Sequence, residues 1–280
     1  MRIQRNFGGE WSNTKLLALR DYLASYTKVL KNAPFRTVYI DAFAGSGTEE
    51  ESDDESKYRH GSPLIALETK PHFDHFVFID KDQAKLKCLQ TQVDERGHGS
   101  KIIKYLAGDA NDKLVELCSS IDWASHRAVA FLDPFALQVQ WGTIQAIART
   151  RAIDMWLLFP AMAVNRMLTR TGEIDPSWEQ RLDITFGATS WKAAFYGKED
   201  PDLFGYERVV KTTKPFDVLS KLVTVLLKNE FAAVHEKPLV LKNSAGTPIF
   251  LFCFACGNTR GAGPALRIAN HIIKNQSNGH

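Results

Sequence analysis

Apolar residues recur at helical spacing along residues 14–31, where Leu16, Leu17, Leu19, Leu23, Tyr26, Val29 and Leu30 form one stripe and Ser12 or Asn13 stands where a cap belongs. Residues 36–42 follow as a continuous β-rich run, the pattern of a strand buried on both faces. The next stretch, EEESDDESKYRHG, has no apolar period and reads as a solvated loop. Ser62-Pro63 supplies an N-cap and a first-turn proline for a helix through Leu67. From there strand and helix alternate: strand 75–80, helix 83–93, strand 102–107, helix 111–119, strand 128–133, helix 141–150, and strand 154–159 ended by Pro160.

That rhythm predicts an α/β domain with a parallel, doubly wound sheet. The period breaks after Pro160. Residues 161–213 carry Trp178, Trp191, several turn residues and short helical stretches such as WKAAFY, and read as an inserted, mainly helical subdomain. An amphipathic helix over 215–230 leads to two strands, 231–242 and 248–255, joined by the hairpin residues NSAGT; a helix over 264–274 precedes a polar tail. Five parallel strands closed by a C-terminal hairpin match the order of the Rossmann-like, seven-stranded methyltransferase sheet. The chain then divides into a helical extension (1–34), a cofactor-binding half (35–160), a substrate-recognition insertion (161–213) and the C-terminal part of the sheet (214–280).

Composition narrows the classes. A chain of 280 residues with 44% hydrophobic content can bury one large core. No stretch approaches the roughly 18–20 uninterrupted apolar residues of a membrane span, and MRIQRNFGGEWSN lacks the apolar region of a signal peptide. Cys88, Cys118, Cys253 and Cys256 are sparse and read as free thiols of a cytoplasmic protein. Cys253 and Cys256 lie within the apolar run PIFLFCFAC, so their thiols point to opposite faces of a strand, and no metal site is expected. The net charge of +3 conceals an acidic cluster, Glu49, Glu50, Glu51, Asp53, Asp54 and Glu55. Outside that cluster the chain is basic enough to suit a polyanionic partner.

The chemistry gathers at strand ends. In VYIDAFAGSGT the strand runs into Asp41 and then turns on Gly45, Ser46 and Gly47. Asp41, Ala44, Gly45 and Gly47 resemble the first motif of S-adenosylmethionine-dependent methyltransferases (D-x-F-x-G-x-G). Glycine there lets the backbone lie against the methionine part of the cofactor, and the aspartate can engage its ammonium directly or through water. A nicotinamide dehydrogenase would show G-x-G-x-x-G after its first strand, and this chain does not. Asp80, ending FVFID, is placed to accept the ribose hydroxyls of an adenosyl group, with Asp82 behind it. Asp109 ends the third strand, where it can take the adenine amine or cap the helix that follows. Trp11 and Lys15 read as core packing and solvation, with closure over the cofactor as the alternative.

Asp133-Pro134-Phe135 is the sharpest catalytic candidate. An exocyclic amine on a base is a poor nucleophile because its lone pair is delocalised. A carboxylate and a carbonyl stiffened by proline can hold the NH₂ with its lone pair turned to the methyl donor, and an aromatic ring can stack on the base. The triplet resembles the D/N-P-P-F/Y motif of amino-methyltransferases acting on DNA and RNA, without its second proline. It is nearer the D-P-F-G of the tRNA guanosine N2-dimethyltransferases, with Ala136 in place of the glycine. Arg149, Arg151, Arg166 and Arg170 flank the fifth strand and are candidate phosphate contacts.

The ordered set W-S-x-x-K-L, YIDAFAGSGT, GSPLIAL, FVFIDKD, FLDPFAL and FLFCFACGNTRGAGPALRIA resembles the three-Cys-motif partner proteins, from about Trp11 to about Lys274. The resemblance implies a methyltransferase-like fold and a protein partner, a three-cysteine protein of the radical S-adenosylmethionine type. It supplies no substrate. The expected function is S-adenosylmethionine-dependent methyl transfer to an exocyclic amine of a DNA or RNA base. The alternatives are a non-catalytic partner subunit of that three-cysteine protein and a protein methyltransferase.

Overall fold

The computed structural model describes residues 10–49, 59–198 and 209–278. Helix α1 (Glu10–Leu30) leads into strand β1 (Arg36–Asp41), and a two-residue pair, β2 (Thr48–Glu49) with β3 (Arg59–His60), precedes α2 (Ser62–Glu68). The alternation expected from the sequence follows: β4 (His75–Asp80), α3 (Gln83–Glu95), β5 (Ile102–Ala107), α4 (Ala110–Ser120), β6 (His126–Leu132), α5 (Trp141–Arg149) and β7 (Ile153–Phe159). Next come α6 (Ala161–Met167), α7 (Pro176–Phe186), α8 (Trp191–Phe195) and a short pair, β8 (Tyr196–Lys198) with β9 (Val209–Lys211). The chain closes with α9 (Pro215–Glu230), β10 (Ala233–Val234), β11 (Leu239–Lys242), β12 (Pro248–Cys256) and α10 (Ala262–Asn278).

The main sheet runs β10-β12-β7-β6-β1-β4-β5, with β11 also paired to β12. Strands β5, β4, β1, β6 and β7 are parallel, and β12 is antiparallel to β7, β10 and β11. Because β10 and β11 share one edge of β12, they act as one broken strand, and the sheet has the seven strand positions and the C-terminal hairpin that the sequence implies. The chain steps outward from β1 to β4 and β5, then returns to the other side of β1 with β6 and β7. The switch of direction lies between β1 and β6, which is where such sheets open a crevice beyond the C-terminal strand ends.

Alternation along the strands feeds two cores. Val38, Ile40, Ile153, Met155 and Leu157 face one core with α4 to α9; Tyr39, Phe131, Trp156 and Leu158 face the other with α1, α2, α3 and α10. Cys253 belongs to the first core and Cys256 to the second, so the two thiols do face opposite sides, both buried. The second core is aromatic: Trp156 lies 5.4 Å edge-on to Tyr22 and 4.6 Å from Phe252 by ring centroids. Helix α1 is tied into it by a hydrogen bond from the Tyr22 hydroxyl to Asp154 Oδ2 at 2.7 Å.

Several local expectations change. Helix α1 already runs from Glu10, so neither Ser12 nor Asn13 caps it; Ser12 is instead a buried residue on its inner face. Gly61, not Ser62, is the N-cap of α2, because the Ser62 side chain is hydrogen-bonded to Asp41. The strand read over 231–242 is cut in two before Pro238, which has no N–H for the ladder. The β8–β9 pair escaped the pattern because three-residue strands hold too few positions for a period. The acidic cluster lies, except for Glu49, outside the described residues. No helix among the described residues is long and apolar enough to cross a membrane.

Burial pushes the Asp154 carboxyl up to about 6, against hydrogen bonds from Cys256 and Tyr22 and the nearby Arg127 charge, which hold it down. A carboxyl raised in the folded state stabilises most when protonated, below its unfolded value near 3.8, and that contribution is lost as pH rises through about 6. Asp154→Asn should therefore gain stability relative to wild type by about 2–3 kcal/mol on going from pH 4 to pH 7. Urea denaturation at the two pH values measures this, and parallel stability curves for the two proteins would contradict it.

Candidate active site

The crevice beyond the ends of β1, β4, β5 and β6 is a cavity of about 900 Å³. Its walls include Phe43 and Gly45 after β1, Asp80 and Asp82 at β4, Asp109 and Asn111 after β5, and Asp133 and Phe135 after β6. Asp80, Gly45, Asp109, Asp133 and Phe135, distant in sequence, thus share one space. Phe135 is 75% exposed, unusual for a large apolar ring, and the crevice runs alongside it.

The turn after β1 is held by neighbouring strand ends. Gly45 N donates to Asp80 Oδ2 at 2.9 Å, and Ala44 N donates to the Ile79 carbonyl at 2.9 Å. Gly45 takes φ +60, and a Cβ built on it meets nothing within 4 Å, so its backbone is bare where the turn borders the crevice. Asp80 also accepts from Asp82 N through Oδ1 at 2.8 Å. Gly47 packs on Leu64 and Leu89 behind the turn.

Asp41 and Ala44 lie behind the wall instead of on it. Asp41 is fully buried; its carboxyl accepts from the Tyr39 hydroxyl at 3.0 Å, from Phe43 N at 3.3 Å and from Ser62. Burial raises its pKa to about 6, with the nearby Asp133 charge adding to the rise. Its direct work is to hold the start of the turn. Asp82 caps α3, accepting from Ala84 N at 2.8 Å. Asp109 caps α4 through Oδ1, which takes both Asn111 N at 2.8 Å and Asn111 Nδ2 at 2.9 Å.

Two residues central to this geometry were not given that place by the sequence. Lys15, read as solvated, has a side chain only 5% exposed and donates from Nζ to Asp133 Oδ2 at 2.5 Å. Its Nζ also sits 5.1 Å from the Trp11 ring centroid, and Trp11 packs on Phe250. The signal was present: Lys15 lies in line with Leu19, Tyr22 and Tyr26, the buried face of α1, and a lysine on a buried stripe calls for a carboxylate partner. The other is Asn111, 7% exposed, whose four hydrogen bonds join the two sides of the crevice. It donates to Asp109 Oδ1 and to the Gln138 carbonyl at 2.9 Å, and accepts from Gln140 N at 2.9 Å and the Thr143 hydroxyl at 2.8 Å. Gln138 Oε1 in turn accepts from Phe135 N at 2.8 Å.

The four arginines divide. Arg149 and Arg151 precede the first residue of β7 and so stand at the opposite edge of the sheet, on the order of 20 Å from the crevice by the length of a seven-residue strand. They do not share the edge assigned to them from the sequence. Arg166 on α6 and Arg170 beyond it follow β7, at the crevice edge, but do not line the crevice. The arginine that does line it is Arg181 on α7.

No family model matches the chain, and no curated protein matches it in sequence. Among solved structures it is similar to protein LPL1258 from Legionella pneumophila, at 16% identity over 80% of this chain and 93% of that one, with a TM-score of 0.44. It is also similar to Trm1 from Pyrococcus horikoshii, in complex with S-adenosyl-L-methionine, at 12% identity over 90% of this chain and 58% of that one, with a TM-score of 0.47. A third is the N-terminal domain of EvdMO1 with S-adenosylhomocysteine, at 10% identity over 85% of this chain and 82% of that one, with a TM-score of 0.39. At such scores the fold rests on strand order and register, described above.

Asn111→Ala should cost about 1–3 kcal/mol, because it strips partners from several part-buried polar groups at once. Urea denaturation reads the loss; a change under about 0.5 kcal/mol would mean that water takes over the Asn111 bonds.

Proposed function

We propose that the protein is an S-adenosylmethionine-dependent methyltransferase whose acceptor is an exocyclic amine of a nucleic-acid base. The observation that carries this reading is the convergence, at the switch point of a methyltransferase-type sheet, of a bare glycine turn hydrogen-bonded to a strand-end carboxylate, Gly45 to Asp80, with Asp133-Pro134-Phe135 across the same crevice. The residues present suit the cofactor. Gly45 offers backbone without a side chain in its way, Asp80 offers a carboxylate for ribose hydroxyls, and Asp109 stands at the third strand end for the adenine. When bound, S-adenosylmethionine supplies an electrophilic methyl group.

The chain's own residues then do the positioning. Asp133 accepts hydrogen bonds from the acceptor NH₂, Pro134 stiffens the backbone beside it, and the exposed Phe135 ring stacks on the base. Lys15 balances the Asp133 charge from below, so the site around the incoming amine carries no net charge from this pair.

A second reading is favoured by that same ion pair: a methyltransferase-like subunit without chemistry of its own, serving a three-cysteine radical S-adenosylmethionine protein. A carboxylate already engaged by a buried ammonium group is consistent with a site that no longer takes a substrate amine. Asp133→Ala separates the two. On the methyltransferase reading it abolishes transfer of labelled methyl groups to nucleic acid and leaves S-adenosylmethionine affinity within a few-fold. Full transfer by the variant would overturn the catalytic assignment; no transfer by the wild type, together with co-purification of the three-cysteine protein, supports the second reading.

The cofactor assignment has its own test. Asp80→Ala should weaken S-adenosylhomocysteine binding in calorimetry by tenfold or more, about 1.4 kcal/mol. Unchanged affinity would remove Asp80 from the cofactor site.

A further inference from the structure

We infer that Arg181 is the phosphate contact of the acceptor nucleotide, the point at which the crevice holds the nucleic-acid backbone while the base reaches Asp133. This rests on the nucleic-acid reading of the crevice given above.

Helix α7 is fixed by its C-terminal turn, its core face and its contacts with α8. Its C-terminal end closes on Gly187, at φ +70, where a Cβ would come within 2.4 Å of Trp141 Cδ1; the turn is therefore pressed against the first residue of α5, just after the loop that carries Phe135 and Gln138. Leu182 and Phe186 anchor α7 in the core. Two of its carboxylates are engaged by α8: Asp183 accepts from Trp191 Nε1 at 2.7 Å, and Glu179 pairs with Lys192. Residues 179 and 183 lie one turn apart on the same helix face, and residue 181 falls between them in sequence and so on the far side. That leaves Arg181 exposed, turned away from α8 and lining the crevice with Asp133, Phe135 and Gln140.

Charge supports the assignment. The crevice wall carries four carboxylates, Asp80, Asp82, Asp109 and Asp133, an unfavourable field for a polyanion. Its cations are Lys81 and Lys85, on the β4 side with Asp80 and Asp82, and Arg181, which comes from the other face of the sheet. A base cannot approach Asp133 without bringing its phosphate, and a guanidinium forms two parallel hydrogen bonds to phosphate oxygens. Among the described residues Arg181 makes no ion pair that would have to be broken first. Arg149 and Arg151, at the opposite edge of the sheet, cannot reach a phosphate joined to a base in the crevice.

The test is fluorescence anisotropy with a labelled single-stranded RNA of mixed sequence and its DNA counterpart, titrated at several salt concentrations with S-adenosylhomocysteine present. Arg181→Ala should weaken binding of the oligonucleotide that the wild type prefers by roughly tenfold and lower the salt slope by about one contact. Arg181→Lys should recover the slope but not all of the affinity, and Arg149→Ala should match the wild type. Calorimetry with S-adenosylhomocysteine alone should give the same affinity for wild type and Arg181→Ala. If oligonucleotide binding is undiminished in Arg181→Ala, the assignment falls and the nucleic-acid reading stands. If S-adenosylhomocysteine affinity drops instead, Arg181 holds the cofactor and the assignment falls. If the wild type binds neither oligonucleotide, both readings fall together.

Discussion

Strand side chains alternate between faces, so the residue after Leu132 points back beneath α1, and that residue is Asp133. A carboxylate on that side of the sheet borders an aromatic, water-poor layer, where a charge without a partner is costly. Lys15 supplies the partner. Two turns further along α1, Tyr22 meets Asp154, again on the face away from Ile153 and Met155. Helix α1 is therefore held over the sheet by two polar contacts, Lys15 to Asp133 beyond β6 and Tyr22 to Asp154 in β7. The placement of Asp133, and with it the loop to Gln140, depends on this helix.

The loop itself is positioned from its other side by Asn111. Its amide uses all of its hydrogen-bonding capacity on groups that belong to different strand ends: Asp109 after β5, and Gln138, Gln140 and Thr143 after β6. Movement of the Asp109 side of the crevice is thereby linked to movement of the Phe135 side, because Gln138 holds the Phe135 backbone. On the methyltransferase reading proposed above, a cofactor that orders the Asp109 wall would also order the surface offered by Phe135.

Most of the sheet was legible in the sequence because each parallel strand is a short apolar run ended by a carboxylate, a glycine or a proline, and each is followed by a helical period. The candidate crevice was legible where it follows from strand ends: Asp80, Asp109, Asp133 and Phe135 line one space. What escaped were relations that no local pattern encodes. The Lys15–Asp133 pair joins residues 118 positions apart. Arg181 reaches the crevice through the docking of α7 on Trp141, and nothing in the PSWEQRLDITF stretch itself points there. Arg149 and Arg151 were misplaced for a topological reason. Residues that precede a parallel strand stand at its N-terminal end, away from the site, however close they are in sequence to residues that follow it.

The carboxylates at the strand ends look equivalent in the sequence and are not equivalent in the fold. Asp41 is sealed by Tyr39, Ser62 and the Phe43 N–H, and its pKa is raised by burial although those hydrogen bonds hold it down. Asp82 and one oxygen of Asp109 satisfy the first N–H groups of α3 and α4, donors with no partner inside their own helices. Asp80 bridges the glycine turn to β4 while facing the crevice, and Asp133 faces it with an ammonium group at its back. Backbone donors thus engage Asp80, Asp82 and Asp109, two side-chain hydroxyls and one backbone N–H enclose Asp41, and a side-chain cation meets Asp133. A carboxylate offers about four lone-pair sites, so Asp80, with one backbone N–H on each oxygen, and Asp133, with Lys15 on one oxygen, both keep acceptor capacity on the crevice wall, whereas Asp41 is enclosed on every side.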